Sequence, residues 1–132
     1  MIHYIAVIEK DPDSAYGVSF PQLEGVFSAG DSFDEATRNA SEALQLFFED
    51  NPAERPAPWS MEQVRALEDV QADLAEGATL VAIPYIELTG RTVRANLTFD
   101  AGLLTAIDEE AKARGISRSA FVASASQAML NA

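Results

Sequence analysis

The sequence predicts an α+β chain in two parts, a mixed front domain over residues 1–88 and a strand–helix–helix tail over 91–132. Three observations lead there. Short apolar runs in the front part are cut by turn residues and by two helix-start signatures. In the tail, Val93, Ala95, Leu97 and Phe99 alternate with Arg94, Asn96 and Thr98, which is the side-chain period of a strand with one apolar and one hydrogen-bonding face. Charge divides the same way. Residues 1–90 carry 4 basic against 17 acidic side chains (net −13), and residues 91–132 carry 5 against 4 (net +1), within a chain total of −12.

Ile2 to Glu9 reads as a largely apolar strand, and Lys10-Asp11-Pro12-Asp13-Ser14 as a turn. Tyr16 to Phe20 then pairs back as a hairpin and stops at Pro21. Val26 to Ala29 is a short third strand. Ser32-Phe33-Asp34-Glu35 is a capping box, in which the Ser and Glu side chains each satisfy an orphan backbone donor. The helix it opens runs to about Glu49, with Ala36, Ala40, Ala43, Leu44 and Phe47 marking its inner face. Asn51 to Pro58, with three prolines, is a loop. Ser60-Met61-Glu62-Gln63 opens a further helix through Val64 and Leu67 toward Leu74. Ala78 to Ile83 is the last front strand, either closed by Pro84 or extended by Tyr85 to Leu88, and Thr89-Gly90 is the hinge.

In the tail, Asp100 caps a helix carrying Leu103, Leu104, Ile107 and Ala111 at helical spacing. Lys112 and Arg114 suit its C-terminal dipole, and Gly115 is a natural residue to follow it. Ser117 caps a second helix with Ala120, Phe121, Ala125, Ala128 and Met129 as its inner side. One strand and two helices cannot bury a core alone, so the unit requires a second copy. Order and spacing together resemble a ribbon-helix-helix DNA-binding domain over residues 91–132. That resemblance implies that two chains pair their strands into an antiparallel ribbon for the major groove of DNA. Arg94, Asn96 and Thr98 would then face base edges. Ser117, Arg118 and Ser119 would offer free N–H groups and a positive helix end to a phosphate.

A second resemblance covers residues 2–50 and, more weakly, 76–84. Tyr16-Gly17-Val18-Ser19-Phe20-Pro21-Gln22-Leu23-Glu24-Gly25-Val26-Phe27-Ser28-Ala29-Gly30-Asp31-Ser32-Phe33-Asp34-Glu35-Ala36 is very similar to the signature of the HicB family of antitoxins. It implies a truncated ribonuclease-H-like front domain, a small antiparallel sheet with one helix across it, followed by the ribbon-helix-helix tail. It also implies a partner: a small basic HicA-type toxin that cleaves mRNA, whose surface the front domain covers while the complex represses its own operon. Tyr16, Phe20, Leu23 and Glu24 are the toxin-contact candidates because the signature concentrates there. A purely structural role in a hairpin and its exit turn is the competing account of the same residues.

Other chemistries fit less well. The chain has no cysteine, which removes disulfides, thiolate metal sites and Cys nucleophiles. Asp11, Asp13, Glu24, Asp31 and Asp34 could in principle supply a two-metal nuclease, but most sit in turns or at a helix start, where such residues are common for local reasons. His3 is the sole histidine, and neither a Gly-x-Ser-x-Gly elbow nor a phosphate loop is present. The sequence therefore assigns no catalytic residue, metal or cofactor. No leader or membrane-length apolar run is evident, which makes a cytoplasmic protein the expectation. The strand pairing calls for a homodimer, and a contact between front domains would make a homotetramer. Two further readings remain: a one-component regulator whose front domain senses a small molecule, and an enzyme whose tail only dimerises.

Overall fold

A computed structural model describes residues 1–51 and 55–131. Of the expected Asn51–Pro58 loop, residues 52–54 lie outside the described residues, and 55–58 are irregular. The chain forms two compact units, Met1–Glu87 and Leu88–Asn131.

The first unit holds strands β1 (Ile2–Glu9), β2 (Tyr16–Ser19), β3 (Phe27–Gly30) and β4 (Thr79–Tyr85), with helices α1 (Phe33–Asp50), α2 (Met61–Arg65) and α3 (Glu68–Ala75). The strands form one sheet in the order β3-β2-β1-β4, and all three pairings are antiparallel. Asp11 and Ser14 close the β1–β2 hairpin: the Ser14 N–H donates to the Asp11 carbonyl at 3.1 Å, and the Asp11 N–H to Ser14 Oγ at 2.9 Å.

Residues 4–8 of β1 are all buried. Tyr4, Ala6 and Ile8 point to the face covered by α1, where Ala36, Ala40, Leu44 and Phe48 meet them. Ile5 and Val7 point to the opposite face, where Val64 and Val70 cover them. A central strand covered on both faces needs a continuous apolar run, and that is what β1 supplies. The resemblance implied one helix across the sheet; α2 and α3 make a second covering on the other side.

Several boundaries differ from the sequence reading. Phe48, not Phe47, completes the buried ridge of α1. It sits four residues beyond Leu44, and Phe47 packs beside it with ring centroids 5.3 Å apart. The capping box at α1 is displaced: Ser32 Oγ accepts from the Glu35 N–H at 3.1 Å, while Glu35 reaches past the cap to the Asp31 N–H at 3.3 Å. The box at Ser60 and Gln63 forms in full. Its helix is broken, however, because Leu67 is extended and exposed between α2 and α3. In one continuous helix Val64 and Val70 would lie about a third of a turn apart; the break lets both reach the sheet. β4 runs through Pro84 as far as Tyr85, the longer of the two ends that the sequence allows. Pro84 lies opposite His3 on an edge strand, where a missing N–H costs no ladder bond.

Tyr4, Phe48 and Tyr85 form an aromatic cluster with centroids 4.8–6.4 Å apart. The Tyr4 hydroxyl donates to the Pro56 carbonyl at 2.7 Å, and burial raises its pKa. Ser41 Oγ donates to the Pro84 carbonyl at 2.8 Å, and Gln45 Nε2 to that of Ile86 at 2.9 Å, so α1 also ties down β4 and its exit. Among the described residues no helix is long and apolar enough to cross a membrane.

The second unit holds α4 (Ala101–Ala113) and α5 (Arg118–Leu130) after an extended approach. Asp100 Oδ1 accepts from the Gly102 and Leu103 N–H groups at 2.8 and 3.1 Å, capping α4. Gly115, at φ +69°, ends it. Its N–H donates to the Lys112 carbonyl and the Ile116 N–H to that of Ala111, the paired bonds of a left-handed helix terminus. Ser117 Oγ caps α5 through the Ala120 N–H at 3.1 Å.

Candidate nucleic-acid interface and front-unit surface

The expected strand at Arg91–Asp100 makes no ladder within one chain. It is neither helical nor buried, and every residue in it is exposed, Val93 by 80% and Leu97 by 66%. The physical reason is the absence of a neighbour. A strand is defined by its partner's backbone, and nothing in the unit offers one. The inner side expected for α5 also stays uncovered: Ala120, Ala125, Ala128 and Met129 are exposed, and only Phe121 and its neighbour Val122 are half-buried. Arg114 lies over the Phe121 ring at 6.0 Å. Of the apolar residues expected in α4, Ile107 and Ala111 are buried, Leu104 is half-buried and Leu103 is exposed. Two helices bury two side chains well and leave an apolar stripe.

A cleft of about 560 Å³ runs between this segment and the helices. Val93, Leu97 and Phe99 line one side; Leu104, Val122 and Ala123 line the other. It brings together three of the six residues singled out for DNA, Asn96, Arg118 and Ser119. Arg94, Thr98 and Ser117 lie outside it. Ser117 spends its hydroxyl on the Ala120 N–H and its carbonyl on the Phe121 N–H. The backbone N–H groups of Arg118 and Ser119 remain open, as the first turn of a helix leaves them. The Arg118 guanidinium is already engaged: Nε and Nη2 donate to the two carboxylate oxygens of Asp108 at 2.8 and 2.7 Å. That hydrogen-bonded pairing lowers the Asp108 pKa and raises that of Arg118. Sequence reading missed Asp108; its ten-residue separation from Arg118 carries no periodic signal.

In the front unit the four toxin-contact candidates separate. Phe20 and Leu23 are core residues, 3% and 6% exposed, packed in the cluster under α1. Their side chains fill the core and present little surface in the single chain. Tyr16 is half-buried, edge-on to Phe33 at 6.1 Å, with Lys10 Nζ 5.8 Å from its ring centroid. Glu24 is exposed on the turn.

Gln22, not anticipated, fixes that turn. Its Nε2 donates to the Ala57 carbonyl at 2.7 Å, and its Oε1 accepts from the Trp59 N–H at 2.9 Å. One side-chain amide thereby holds the proline-rich loop against the Pro21–Gly25 turn and places Trp59, partly exposed, beside it. On the α3 face, a second cleft of about 380 Å³ has an apolar floor at Val7 and Val70 and an acidic wall of Glu68, Asp69 and Asp73. The Glu9 pKa is raised, first by burial and then by the carboxylates of Asp73, Glu76 and Asp11. Among the described residues no group of three or more His, Cys, Asp or Glu side chains converges as a metal site.

Comparisons with known proteins agree with this architecture. The model of the HicB-like antitoxin family of bacterial toxin-antitoxin systems matches residues 4–126. The Burkholderia pseudomallei antitoxin HicB is similar in structure, with 26% identity, a TM-score of 0.55, and coverage of 99% of this chain and 98% of that one. The antitoxin HicB3 shares 31% identity at a TM-score of 0.54, covering 92% and 93% of the two chains. A chain of the HicA3–HicB3 toxin-antitoxin complex has the same fold, at a TM-score of 0.54 and 21% identity over 65% of this chain and all of that one. With its sheet, its helices and nearly its whole length matched, the chain belongs to the HicB-like antitoxin family.

Proposed function

We propose that this antitoxin blocks a small, basic, mRNA-cleaving toxin of HicA type with its front unit and represses its own operon with its tail. The observation that carries the DNA part is the bare Val93–Phe99 stripe. An extended segment that exposes Val93 and Leu97 beside an unfilled apolar cleft needs a second copy to cover it. Pairing of two such segments side by side in a ribbon-helix-helix dimer buries the stripe. The two-residue period of a paired strand then sets Arg94, Asn96 and Thr98 on the opposite, polar face for base edges, which takes Asn96 out of the cleft that it lines in the single chain. The near-neutral charge of the tail lets it approach phosphate where the front unit would be repelled.

The toxin part is supported by family membership and by a toxin-antitoxin complex formed by a chain of the same fold. Inhibition is steric and electrostatic, and this chain performs no chemistry. The front unit, read as a shortened ribonuclease-H-like sheet, is the scaffold. Its toxin-facing surface is the Pro21–Glu24 turn with Trp59, held together by Gln22, and the flanking carboxylates attract a basic partner. Trp is the residue type most often found at the energetic centre of an interface. The site is cytoplasmic, where mRNA and operator are both within reach.

Co-expression with a small basic protein encoded beside this chain tests both halves. The expected result is a stable complex that shifts a duplex from the region upstream of the two genes. A chain that neither captures that protein nor shifts that duplex contradicts the reading.

A further inference from the structure

Asp108 sits in α4 and Arg118 opens α5, and their two-pronged pairing is the geometry that carries an inference. The carboxylate takes the Nε–Nη2 edge of the guanidinium. An arginine has further donors: both hydrogens of Nη1 and the second hydrogen of Nη2 are left over. Arg118 is more than half exposed, next to the open N–H groups of the first turn of α5. A free arginine samples many rotamers and loses that freedom when it grips a ligand. Here the loss has already occurred in the folded unit.

We propose that Asp108 is a positioning residue for DNA: it clamps one edge of the Arg118 guanidinium so that the other edge is preset for a backbone phosphate at the start of α5. The proposal rests on the tail being a DNA-binding unit and adds to it a residue that never touches DNA. It also makes a prediction opposite to plain electrostatics. Removing an acid near a DNA-binding surface should tighten binding. If Asp108 positions Arg118, removing it loosens binding although the protein becomes less negative.

The test uses the full chain and a duplex from the region immediately upstream of its own coding sequence, titrated over a range of salt. Asp108→Ala should weaken binding by about three- to tenfold, the share of arginine ordering that must then be met on binding. The slope of log K against log salt should stay close to that of wild type, because the released Arg118 still reaches the phosphate, whereas Arg118→Ala should make it shallower by about one unit. The double variant should bind no more weakly than Arg118→Ala alone. Asp108→Asn, which keeps the side-chain volume and one acceptor oxygen, should fall between wild type and Asp108→Ala. It stands in should the alanine variant melt early. Binding that tightens or stays the same in either Asp108 variant overturns the proposal, as does a double variant that binds more weakly than Arg118→Ala alone. A wild-type chain that binds no duplex overturns the DNA reading itself and this proposal with it, a result distinct from any behaviour of the variants.

Discussion

Gly30, the last residue of β3, lies directly against the start of α1: a Cβ placed on it would fall 2.8 Å from Ala36 Cα. Backbone cannot retreat as a flexible side chain can, so the glycine here is required by close approach. Gly30→Ala should therefore push α1 off the sheet edge and destabilise the front unit by about 1–3 kcal/mol. Thermal or urea unfolding checks this. Wild-type stability in the variant would mean that the turn at Asp31 absorbs the added methyl freely.

Phe47 and Phe48 give a paired prediction. Phe48 is buried among Tyr4 and Tyr85, while Phe47 is only partly covered. Phe48→Ala should cost about 3–5 kcal/mol, the usual range for emptying an aromatic site in a core. Phe47→Ala should cost clearly less, because part of its surface already meets water. Equal losses in denaturant titrations would contradict the assignment of the inner ridge.

These two phenylalanines also show what could be read from sequence. Spacing alone located α1 and its inner side, but neighbours one residue apart point within the same half of a helix, and tertiary contacts choose between them. The β1–β2 hairpin, the Ser60 box and the Gly115 turn were legible because each depends on local chemistry. The break at Leu67 was not, since it answers a demand from the sheet for both Val64 and Val70. Whether the last strand stops at Pro84 or runs on to Tyr85 is not decided by the sequence, because an edge position in a sheet is a property of topology. The same limit governs the sites. Arg94, Asn96 and Thr98 stand out by period, whereas Gln22 and Asp108 act across 35 and ten residues of chain through pairings that no pattern announces. Phe20 and Leu23 were conspicuous in the motif because they hold the fold.

Glu9 predicts a pH dependence of known sign. Burial first, then Asp73, Glu76 and Asp11, raise its pKa in the folded chain, so the folded state binds a proton more readily than the unfolded one. The stability that this proton brings is complete below the ordinary glutamate pKa and is lost as pH rises through the higher folded value. Charged Glu9 thus weakens the front unit at neutral pH. Glu9→Gln should raise the melting temperature at pH 7, and the gain should shrink as pH is lowered toward the ordinary glutamate value. A gain that does not change with pH would show that the carboxylates leave Glu9 unaffected.

Base reading by the tail has its own signature. Arg94→Ala and Asn96→Ala should each cost about 1–3 kcal/mol on the cognate operator and relax preference at the contacted base pair. Binding to unrelated duplex should change much less. Equal losses on both duplexes would assign these side chains to general charge attraction.

DNA reading by the tail requires two copies to join their Val93–Phe99 segments, and amide hydrogen exchange across that segment measures this directly. In a two-stranded antiparallel ribbon only alternate N–H groups face the neighbouring backbone. The predicted result is protection at every second amide between Val93 and Phe99, appearing with rising protein concentration and fading on dilution. Uniformly fast exchange through the segment at concentrations where the chain is dimeric would contradict it.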